Sequence, residues 1–347
     1  MKRSISRRVF GLMAAASAMM CSATLAWAAE YPAAQPLKEG AQADTSALKN
    51  DGSISIAYMP PATEFNYYIA IGEGIKAEAA NMGAEVFMLA PQSGSDINGQ
   101  MGMIQDVITR KVDAIILSTH DESAAAPLVK QAVDAGIAVI IVNSDIANFP
   151  TPVHGVVGYS QRKGTHKIGE YFLEKLGGKP AKIGIIEGLP GYHSTERVGG
   201  FRDAVEGKPG IEIKASVPGG WNVEGGNTAG MDLLQANPDV DVLFAANDYM
   251  IMGAAQAAKA LGRSLTLLGN DGDTAALEQI SEGQITATVN TTPFVMGQIA
   301  LTVTMDALNG KFKGGFVETP TTIVDKDSVV PVLQKPESLY PKPSKSY

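Results

Sequence analysis

Short apolar runs alternate with helical patterns along most of the chain, and this alternation constrains the fold more than any other feature. The stretches between the runs are long enough for helices, and in the first of them Tyr68, Ile71, Ile75 and Ala79 share one helical face. The runs of the first half are nearly continuous in apolar residues, as strands covered on both faces are; they span residues 54–59, 84–89, 114–117, 137–142 and 153–157. This pattern predicts βαβ units and a parallel sheet.

The same alternation starts again after residue 157. The runs of this second set span residues 182–186, 211–216, 242–246, 265–268 and 285–289. Two successive sets predict two α/β lobes, each with a parallel sheet. Residues 293–330 offer one helix and one or two short strands, which is too little for a third domain, so we expect them to complete the two lobes.

The N-terminus has the layout of a signal peptide. Basic residues, including an Arg7-Arg8 pair, precede an apolar run, and small residues around Ala28 offer a cleavage point, so residues 1–28 are predicted to be removed on export. The arginine pair resembles a twin-arginine signal, and this route and the general secretory route both remain open. The apolar run is shorter than the ~20 residues that span a bilayer, which argues against a membrane anchor.

Composition narrows the classes of function. Cleavage after Ala28 removes Cys21, the only cysteine, so the exported protein is expected to have neither a disulfide nor a thiol nucleophile. Four of the 28 Lys and Arg residues lie in the predicted signal, which leaves 24 against 36 acidic residues and a net charge of −12. An acidic chain without a basic cluster disfavours nucleic-acid binding. The four histidines lack metal-ligand spacing and no serine lies in a Gly-x-Ser-x-Gly motif, so we predict neither a metal site nor a serine hydrolase.

Polar and aromatic residues dominate the loops that follow the predicted strands. In parallel sheets the ligand crevice lies at the carboxyl ends of the strands, so these loops indicate the ligand. Asp and Asn side chains pair with adjacent hydroxyls, whereas Tyr and Trp rings pack against C–H faces, and a sugar or polyol offers both. Phosphate would instead favour glycine-rich turns or clustered Arg and Lys. The loop residues predicted on this ground to bind ligand include Glu64, Ser118, Asn143, Asp145, His193 and Thr195.

Several segments, in their order and spacing from about residue 53 to residue 330, resemble the ribose-binding-protein family of ABC-transporter receptors. They include Asn143-Ser144-Asp145, Glu196-Arg197-Val198-Gly199-Gly200-Phe201, Phe244-Ala245-Ala246-Asn247-Asp248 and Gly269-Asn270-Asp271-Gly272. The resemblance implies an α/β fold of two doubly wound parallel-sheet lobes joined by a three-crossover hinge, the type I periplasmic binding protein fold. It places the crossovers near residues 157–159, 291–293 and 320–323.

These crossovers define the expected domains. The N-terminal lobe comprises residues 51–157 and 293–321, and the C-terminal lobe comprises residues 158–292 and 322–335. We expect the ligand to bind in the cleft between the lobes, which close around it. The parts outside the lobes are an exposed lead-in at residues 29–50 and a tail at residues 336–347.

The resemblance also implies roles for individual residues. The ring-stacking aromatics of the family fall on Tyr67, Tyr68 and Trp221, and its polar hinge position falls on Thr291. The residues at positions that bind ligand hydroxyls are Asn143, with Asp145 two residues on, Asn247 and Asp271.

Two departures from the family pattern bear on the ligand. Ser144 and Thr195 stand where a ribose-binding relative has arginines, so the ligand is expected not to be bound as ribose is. Glu64, His120 and His193 are candidates to fill that space. A different pentose, a hexose, an inositol and a short polyol all remain open, and Glu64 leaves an amino-substituted polyol open.

The resemblance implies a function in transport. The protein is expected to be a periplasmic monomer that captures a small uncharged sugar or polyol by hinge closure and delivers it to an ABC permease with a separate ATPase subunit. No enzymatic activity, cofactor or metal is expected. The alternatives are a receptor for chemosensing and an exported enzyme that uses the same cleft.

Overall fold

The structure is a computed structural model that describes residues 30–48 and 52–334. The predicted signal peptide and the predicted tail lie outside the described residues. In the part that the structure describes, no helix is both long enough and apolar enough to cross a membrane.

The first set of alternating runs forms the N-terminal lobe. Each predicted run contains a strand or overlaps one. The side chains of the runs are largely buried on both faces of the sheet, except in the run 84–89, which lies at the sheet edge and is only partly buried. The elements are β1 Ser55–Met59, α1 Asn66–Met82, β2 Glu85–Met88, α2 Ile97–Arg110, β3 Ala114–Leu117, α3 Glu122–Asp134, β4 Ala138–Val142 and β5 Gly155–Gly158.

The second set forms the C-terminal lobe, and a short final segment follows it. The elements of the second set are α4 Gln161–Leu176, β6 Ala181–Glu187, α5 Tyr192–Val205, β7 Ile211–Pro218, α6 Val223–Ala236, β8 Val242–Ala245, α7 Asp248–Ala260, β9 Thr266–Asp271, α8 Thr274–Glu282 and β10 Ala287–Asn290. Those of the final segment are α9 Pro293–Leu308, β11 Phe316–Glu318, β12 Thr322–Asp325 and α10 Val329–Leu333.

The two lobes have six-stranded sheets of the same layout. The strand order is β11-β5-β4-β3-β1-β2 in the first and β12-β10-β9-β8-β6-β7 in the second. Neighbouring strands are parallel except for β12, which runs antiparallel to β10. The predicted fold class, two doubly wound lobes of mainly parallel strands, is confirmed. The strand order reverses between β1 and β3 and between β6 and β8, which is where a ligand crevice forms in such sheets.

The chain passes from one sheet to the other three times. The passages lie between β5 and α4, between β10 and α9, and between β11 and β12. Helix α9 packs on α1 of the N-terminal lobe, and two glycines allow the helices to approach closely. A Cβ on Gly74 would lie 1.9 Å from the Phe294 carbonyl oxygen, and one on Gly297 would lie 2.0 Å from that of Ile71. The final segment therefore contributes to both lobes.

Residues 30–48 are mostly exposed, but they also make contacts with the N-terminal lobe. Ala41, Ala43 and Thr45 are buried. The Ala43 N–H donates to the Val153 carbonyl, and Gln35 forms an antiparallel bridge with Phe316 of β11. Sequence patterns did not indicate these contacts because the segment has no apolar periodicity, and many of them are made by the backbone or by polar side chains such as Gln42.

Candidate ligand-binding site

A cavity lies between the two lobes at the carboxyl ends of their strands. The N-terminal lobe contributes Phe65, Tyr67, Tyr68, His120 and Asn143, and the C-terminal lobe contributes His193, Arg197, Trp221, Asn247, Tyr249 and Asp271.

A buried ion pair forms part of the C-terminal wall. Arg197 Nη1 lies 3.0 Å from Asp271 Oδ1, and both side chains are about 5% exposed. Arg197 also donates through Nε to Gln161 Oε1 and through Nη1 to the Ala246 carbonyl. Burial raises the pKa of Asp271 to about 6, against the opposing effect of the Arg197 charge. At neutral pH the two charges therefore compensate each other.

The ion pair keeps hydrogen-bonding capacity for a ligand. Among the described residues, no hydrogen bond is made to Arg197 Nη2 or to Asp271 Oδ2. Arg197 therefore has donors and Asp271 an acceptor to offer, which is what a pair of adjacent hydroxyls requires.

Tyr67 connects the N-terminal wall to the hinge. Its hydroxyl lies 2.9 Å from Asn143 Oδ1 and 2.9 Å from Thr291 Oγ1. Asn143 follows β4 with a φ of 62°, in the left-handed region that asparagine tolerates better than most residues. Burial raises the pKa of Tyr68 to about 12 and also raises that of Tyr67, so both phenols are neutral at physiological pH.

Trp221 is held by the C-terminal lobe with its ring at the cavity. Its carbonyl accepts from Asn247 Nδ2 at 2.9 Å. The ring lies 6.4 Å from the His120 ring in a stacked arrangement, and the Arg197 guanidinium is 5.4 Å from its centroid. Gly188 leaves the space for the indole, because a Cβ there would lie 2.0 Å from the ring. Trp221 therefore provides a fixed apolar platform.

Two histidines lie in the cavity wall, His120 from the N-terminal lobe and His193 from the C-terminal lobe. His120 Nδ1 lies 3.1 Å from the Gly94 carbonyl and Nε2 lies 3.4 Å from the Tyr68 hydroxyl, an arrangement that fits a neutral ring with the proton on Nδ1. Burial lowers the pKa of both His120 and His193. His193 Nδ1 is buried and has no partner in the part of the chain that the structure describes. It is a further atom that a ligand hydroxyl can satisfy.

Contacts across the cleft show that the lobes are closed. Tyr192 at the start of α5 donates its hydroxyl to Asp145 Oδ1 of the N-terminal lobe at 3.0 Å. The Asn66 N–H donates to the hydroxyl of Tyr249 at 3.1 Å. The Phe65 and Tyr249 rings meet edge to face, with centroids 5.6 Å apart.

The structure brings most of the sequence-predicted site residues to the cavity. Thr291 lies behind Tyr67 and touches its hydroxyl. Asn247 reaches the cavity, but its side chain is used by the protein: Oδ1 caps α7 by accepting from the Met250 N–H, and Nδ2 holds Trp221. The predicted residues in the cavity wall are Tyr67, Tyr68, Asn143, His193, Trp221, Asn247 and Asp271.

Four predicted residues do not line the cavity, and for them the expectation is corrected. Glu64 accepts from the Gly94 N–H at 2.7 Å and so fastens two loops of one lobe. Asp145 accepts from the Gln161 N–H and from Tyr192 at the edge of the cleft. Thr195 is exposed, because α5 turns it away from the face that carries His193. Ser118 is buried outside the cavity wall, with its hydroxyl unpartnered among the described residues.

Phe65, Arg197 and Tyr249 line the cavity and were not predicted to do so. Arg197 is distinct from the two positions, Ser144 and Thr195, at which the sequence departs from the arginines of a ribose-binding relative. It could have been found, because it follows His193 by four residues on the same helix and side chains so spaced share a face. Within the described residues, no group of three or more His, Cys, Asp or Glu side chains is placed to hold a metal ion.

Comparisons with known proteins agree with this geometry. The family model described as "Periplasmic binding protein domain" matches residues 56–312. The D-ribose/D-allose-binding protein of Pseudomonas aeruginosa is 30% identical over 340 residues, which cover 93% of this chain and 99% of that protein. The ribose import binding protein of Bacillus subtilis is 30% identical over 246 residues, 71% of this chain and 78% of that protein.

Solved structures show the same fold. An ABC transporter solute-binding protein from Mycobacterium smegmatis with bound glycerol has a TM-score of 0.75 and 29% identity, and the match covers 81% of this chain and 97% of that one. A periplasmic solute-binding protein from Actinobacillus succinogenes with bound D-allose has a TM-score of 0.74 and 26% identity, covering 80% and 99%.

Proposed function

We propose that the chain, which belongs to the periplasmic binding protein domain family, is the solute-binding component of an ABC importer for a monosaccharide or polyol. One observation carries this proposal: the cavity between the lobes places unused hydrogen-bonding atoms of Arg197 and Asp271 beside the Trp221 ring. Paired donors and an acceptor next to an aromatic face suit a molecule with adjacent hydroxyls and exposed C–H groups.

The relatives support the class of ligand. The two relatives compared above are named as binding proteins for ribose and for ribose and allose. The two solved structures contain bound D-allose and bound glycerol. The ligand of this chain is then an uncharged polyhydroxy compound, because the charges of Arg197 and Asp271 already compensate each other at 3.0 Å. In this proposal the ligand leaves the protein chemically unchanged, as expected of a carrier and not of an enzyme.

The ligand site of this proposal comprises residues of both lobes. Tyr67, Tyr68 and Trp221 provide rings, whereas Asn143, His193, Arg197 and Asp271 provide polar atoms. Asn247 and Thr291 position Trp221 and Tyr67, respectively.

Transport also requires export and a membrane partner. The family is periplasmic, and we place the cleavage of the signal peptide near Ala28. The monomer, in its closed form, delivers the ligand to an ABC permease whose ATPase is a separate subunit. The lobe boundaries remain those expected from the sequence, residues 51–157 with 293–321 and residues 158–292 with 322–335.

A thermal-shift screen of residues 29–347 tests the function. Pentoses, hexoses, inositols and short polyols are each added, with amino acids and small peptides as the comparison set. A true ligand at ~100 times its Kd stabilises the native state by about 2.7 kcal/mol. Stabilisation by amino acids or peptides, with none by any carbohydrate or polyol, contradicts the proposed class. Mass spectrometry of the recovered ligand separates a carrier from an enzyme, because an enzyme would return an altered molecule.

A further inference from the structure

Three aromatic rings from both lobes meet in one part of the cavity wall. Phe65 lies between the other two, with its centroid 6.3 Å from that of His120 and 5.6 Å from that of Tyr249. We call Phe65, His120 and Tyr249 the aromatic lip, since it lies where the Asn66 N–H and the Tyr249 hydroxyl join the lobes.

The heteroatoms of the aromatic lip are already hydrogen-bonded within the protein. His120 Nδ1 is 3.1 Å from the Gly94 carbonyl, and Nε2 is 3.4 Å from the Tyr68 hydroxyl. The Tyr249 hydroxyl accepts from the Asn66 N–H and also interacts with the Asp273 carboxyl group, and Phe65 has no polar side-chain atom. A ligand group at the lip therefore meets ring carbon and ring edges.

Unused polar atoms lie elsewhere in the cavity wall. In the described chain, Arg197 Nη2 and Asp271 Oδ2 have no hydrogen bond, and both belong to the C-terminal lobe. Trp221 adjoins both regions, since its ring is 6.4 Å from that of His120 and 5.4 Å from the Arg197 guanidinium. The Trp221 ring is thus close both to the unused polar atoms and to the aromatic rings.

We infer that the ligand is amphipathic, with adjacent hydroxyls that bind Arg197 and Asp271 and a carbon without a hydroxyl, such as a methyl group, that packs in the aromatic lip. This inference rests on the proposed function and narrows its substrate class to deoxy sugars and polyols with a deoxy end. A hydroxyl in the lip would lose its water and find no free partner, which is costly. A methyl group there would instead gain from burial.

Matched pairs of sugars test the inference by calorimetric titration of residues 29–347. Each pair consists of a hexose and its 6-deoxy counterpart: D-galactose with D-fucose, L-galactose with L-fucose, L-mannose with L-rhamnose, and D-glucose with D-quinovose. In every pair that binds, we expect the deoxy sugar to bind more tightly by about 10- to 100-fold, the scale of discrimination by one such group in an apolar pocket.

The possible results separate the inference from the proposed function. Equal or tighter binding of the hexose in the binding pairs overturns the inference alone. Binding confined to molecules with a hydroxyl on every carbon, such as inositols, also overturns the inference but supports the function. Binding by no sugar or polyol overturns both.

Two variants of Phe65 test the lip itself. Phe65 is the N-cap residue of α1 and makes no side-chain capping bond, so replacing it removes no cap. Phe65→Leu keeps the lip apolar and should keep the preference for the deoxy sugar, whatever the change in affinity. Phe65→Asn makes the lip polar and should reduce the preference at least tenfold. The same preference in both variants would overturn the role of the lip, and thermal unfolding of each checks that it is folded.

Discussion

Arg197 and Asp271 stabilise the fold and also line the ligand cavity. They stabilise the fold because the charge of each side chain compensates the buried charge of the other. We predict that Arg197→Met lowers the free energy of unfolding by about 3–5 kcal/mol, since it leaves the Asp271 carboxylate buried without a partner. Replacing both, as Arg197→Met with Asp271→Leu, should restore most of that stability and still abolish ligand binding. Urea unfolding and calorimetry measure the two effects.

A surface arginine gives the matched control. Arg162 pairs with Asp203, and both side chains are about half exposed. Arg162→Met should change the unfolding free energy by less than about 1 kcal/mol and leave affinity unchanged. If Arg197→Met were as stable as Arg162→Met, the buried pair would not have the energetic role assigned to it.

His154 makes stability depend on pH. Its Nδ1 accepts from the Val139 N–H at 2.9 Å, and burial lowers its pKa from 6.5 to about 4. Between these values the unfolded chain binds the proton more readily than the native one, so stability is full above about pH 6.5 and falls as the pH approaches 4. The loss from His154 is about 3 kcal/mol at most.

The prediction is checked by measuring the free energy of unfolding in urea between pH 6.5 and 4 for the wild type and for a variant of His154. His154→Asn keeps an acceptor near the Val139 N–H but does not titrate, so its stability should fall less between pH 6.5 and 4. His166→Asn, on the exposed side of α4, should behave as the wild type does. The pKa values of His120 and His193 are also lowered and contribute in the same direction. An unaltered slope in His154→Asn would contradict the role of His154.

At the scale of elements, the N-cap residue of α7, Asn247, also holds a residue of the ligand site in place. Asn247 Oδ1 accepts from the Met250 N–H, and Nδ2 donates to the Trp221 carbonyl. We predict that Asn247→Ala costs about 1 kcal/mol or more of stability and weakens ligand binding, because it removes the cap and releases Trp221. Trp221 is the only tryptophan of residues 29–347, so its fluorescence reports the change directly.

Asp96 is the matched control for Asn247, because it caps a helix but does not line the cavity. It caps α2 by accepting from the Gly99 N–H. Asp96→Ala should cost about 1 kcal/mol as well but leave affinity and Trp221 fluorescence as they are. Equal loss of affinity in both variants would show that binding responds to general stability and not to Asn247.

The elements themselves were largely predictable from the sequence. A strand covered on both faces needs a continuous apolar run, which is a local signal, and the runs at 114–117 and 242–246 nearly coincide with β3 and β8. The orientation of loop side chains was less predictable. It depends on where α5 begins: starting at Tyr192, the helix directs His193 and Arg197 inward and Thr195 outward. Asn247 was expected to bind ligand hydroxyls, but its Oδ1 caps α7, because asparagine also suits an N-cap position.

At the scale of the whole molecule, closure depends on a few contacts between the lobes. We predict that Tyr192→Phe, which removes the hydrogen bond to Asp145, weakens affinity by about 2- to 10-fold through faster ligand release. Stopped-flow measurement of Trp221 fluorescence gives the release rate. The stability of the unliganded protein should change little if the bond forms only on closure.

Tyr171 supplies the control for this change. Its hydroxyl donates to Asp325 at 3.0 Å within the C-terminal lobe, away from the cleft. Tyr171→Phe removes a bond of the same kind and should not alter the release rate. If both Tyr192→Phe and Tyr171→Phe released the ligand faster, the faster release would not be due to the loss of the contact between the lobes.

Capture of a sugar or polyol between the two lobes is the central claim, and a crystal structure of residues 29–347 with saturating ligand from the thermal-shift screen tests it most directly. We predict density for a polyhydroxy molecule in the cavity, with two of its hydroxyls within 3.2 Å of Arg197 Nη2 and Asp271 Oδ2 and a C–H face against Trp221. Ligand density elsewhere, with only water between Arg197 and Trp221, would contradict the claim.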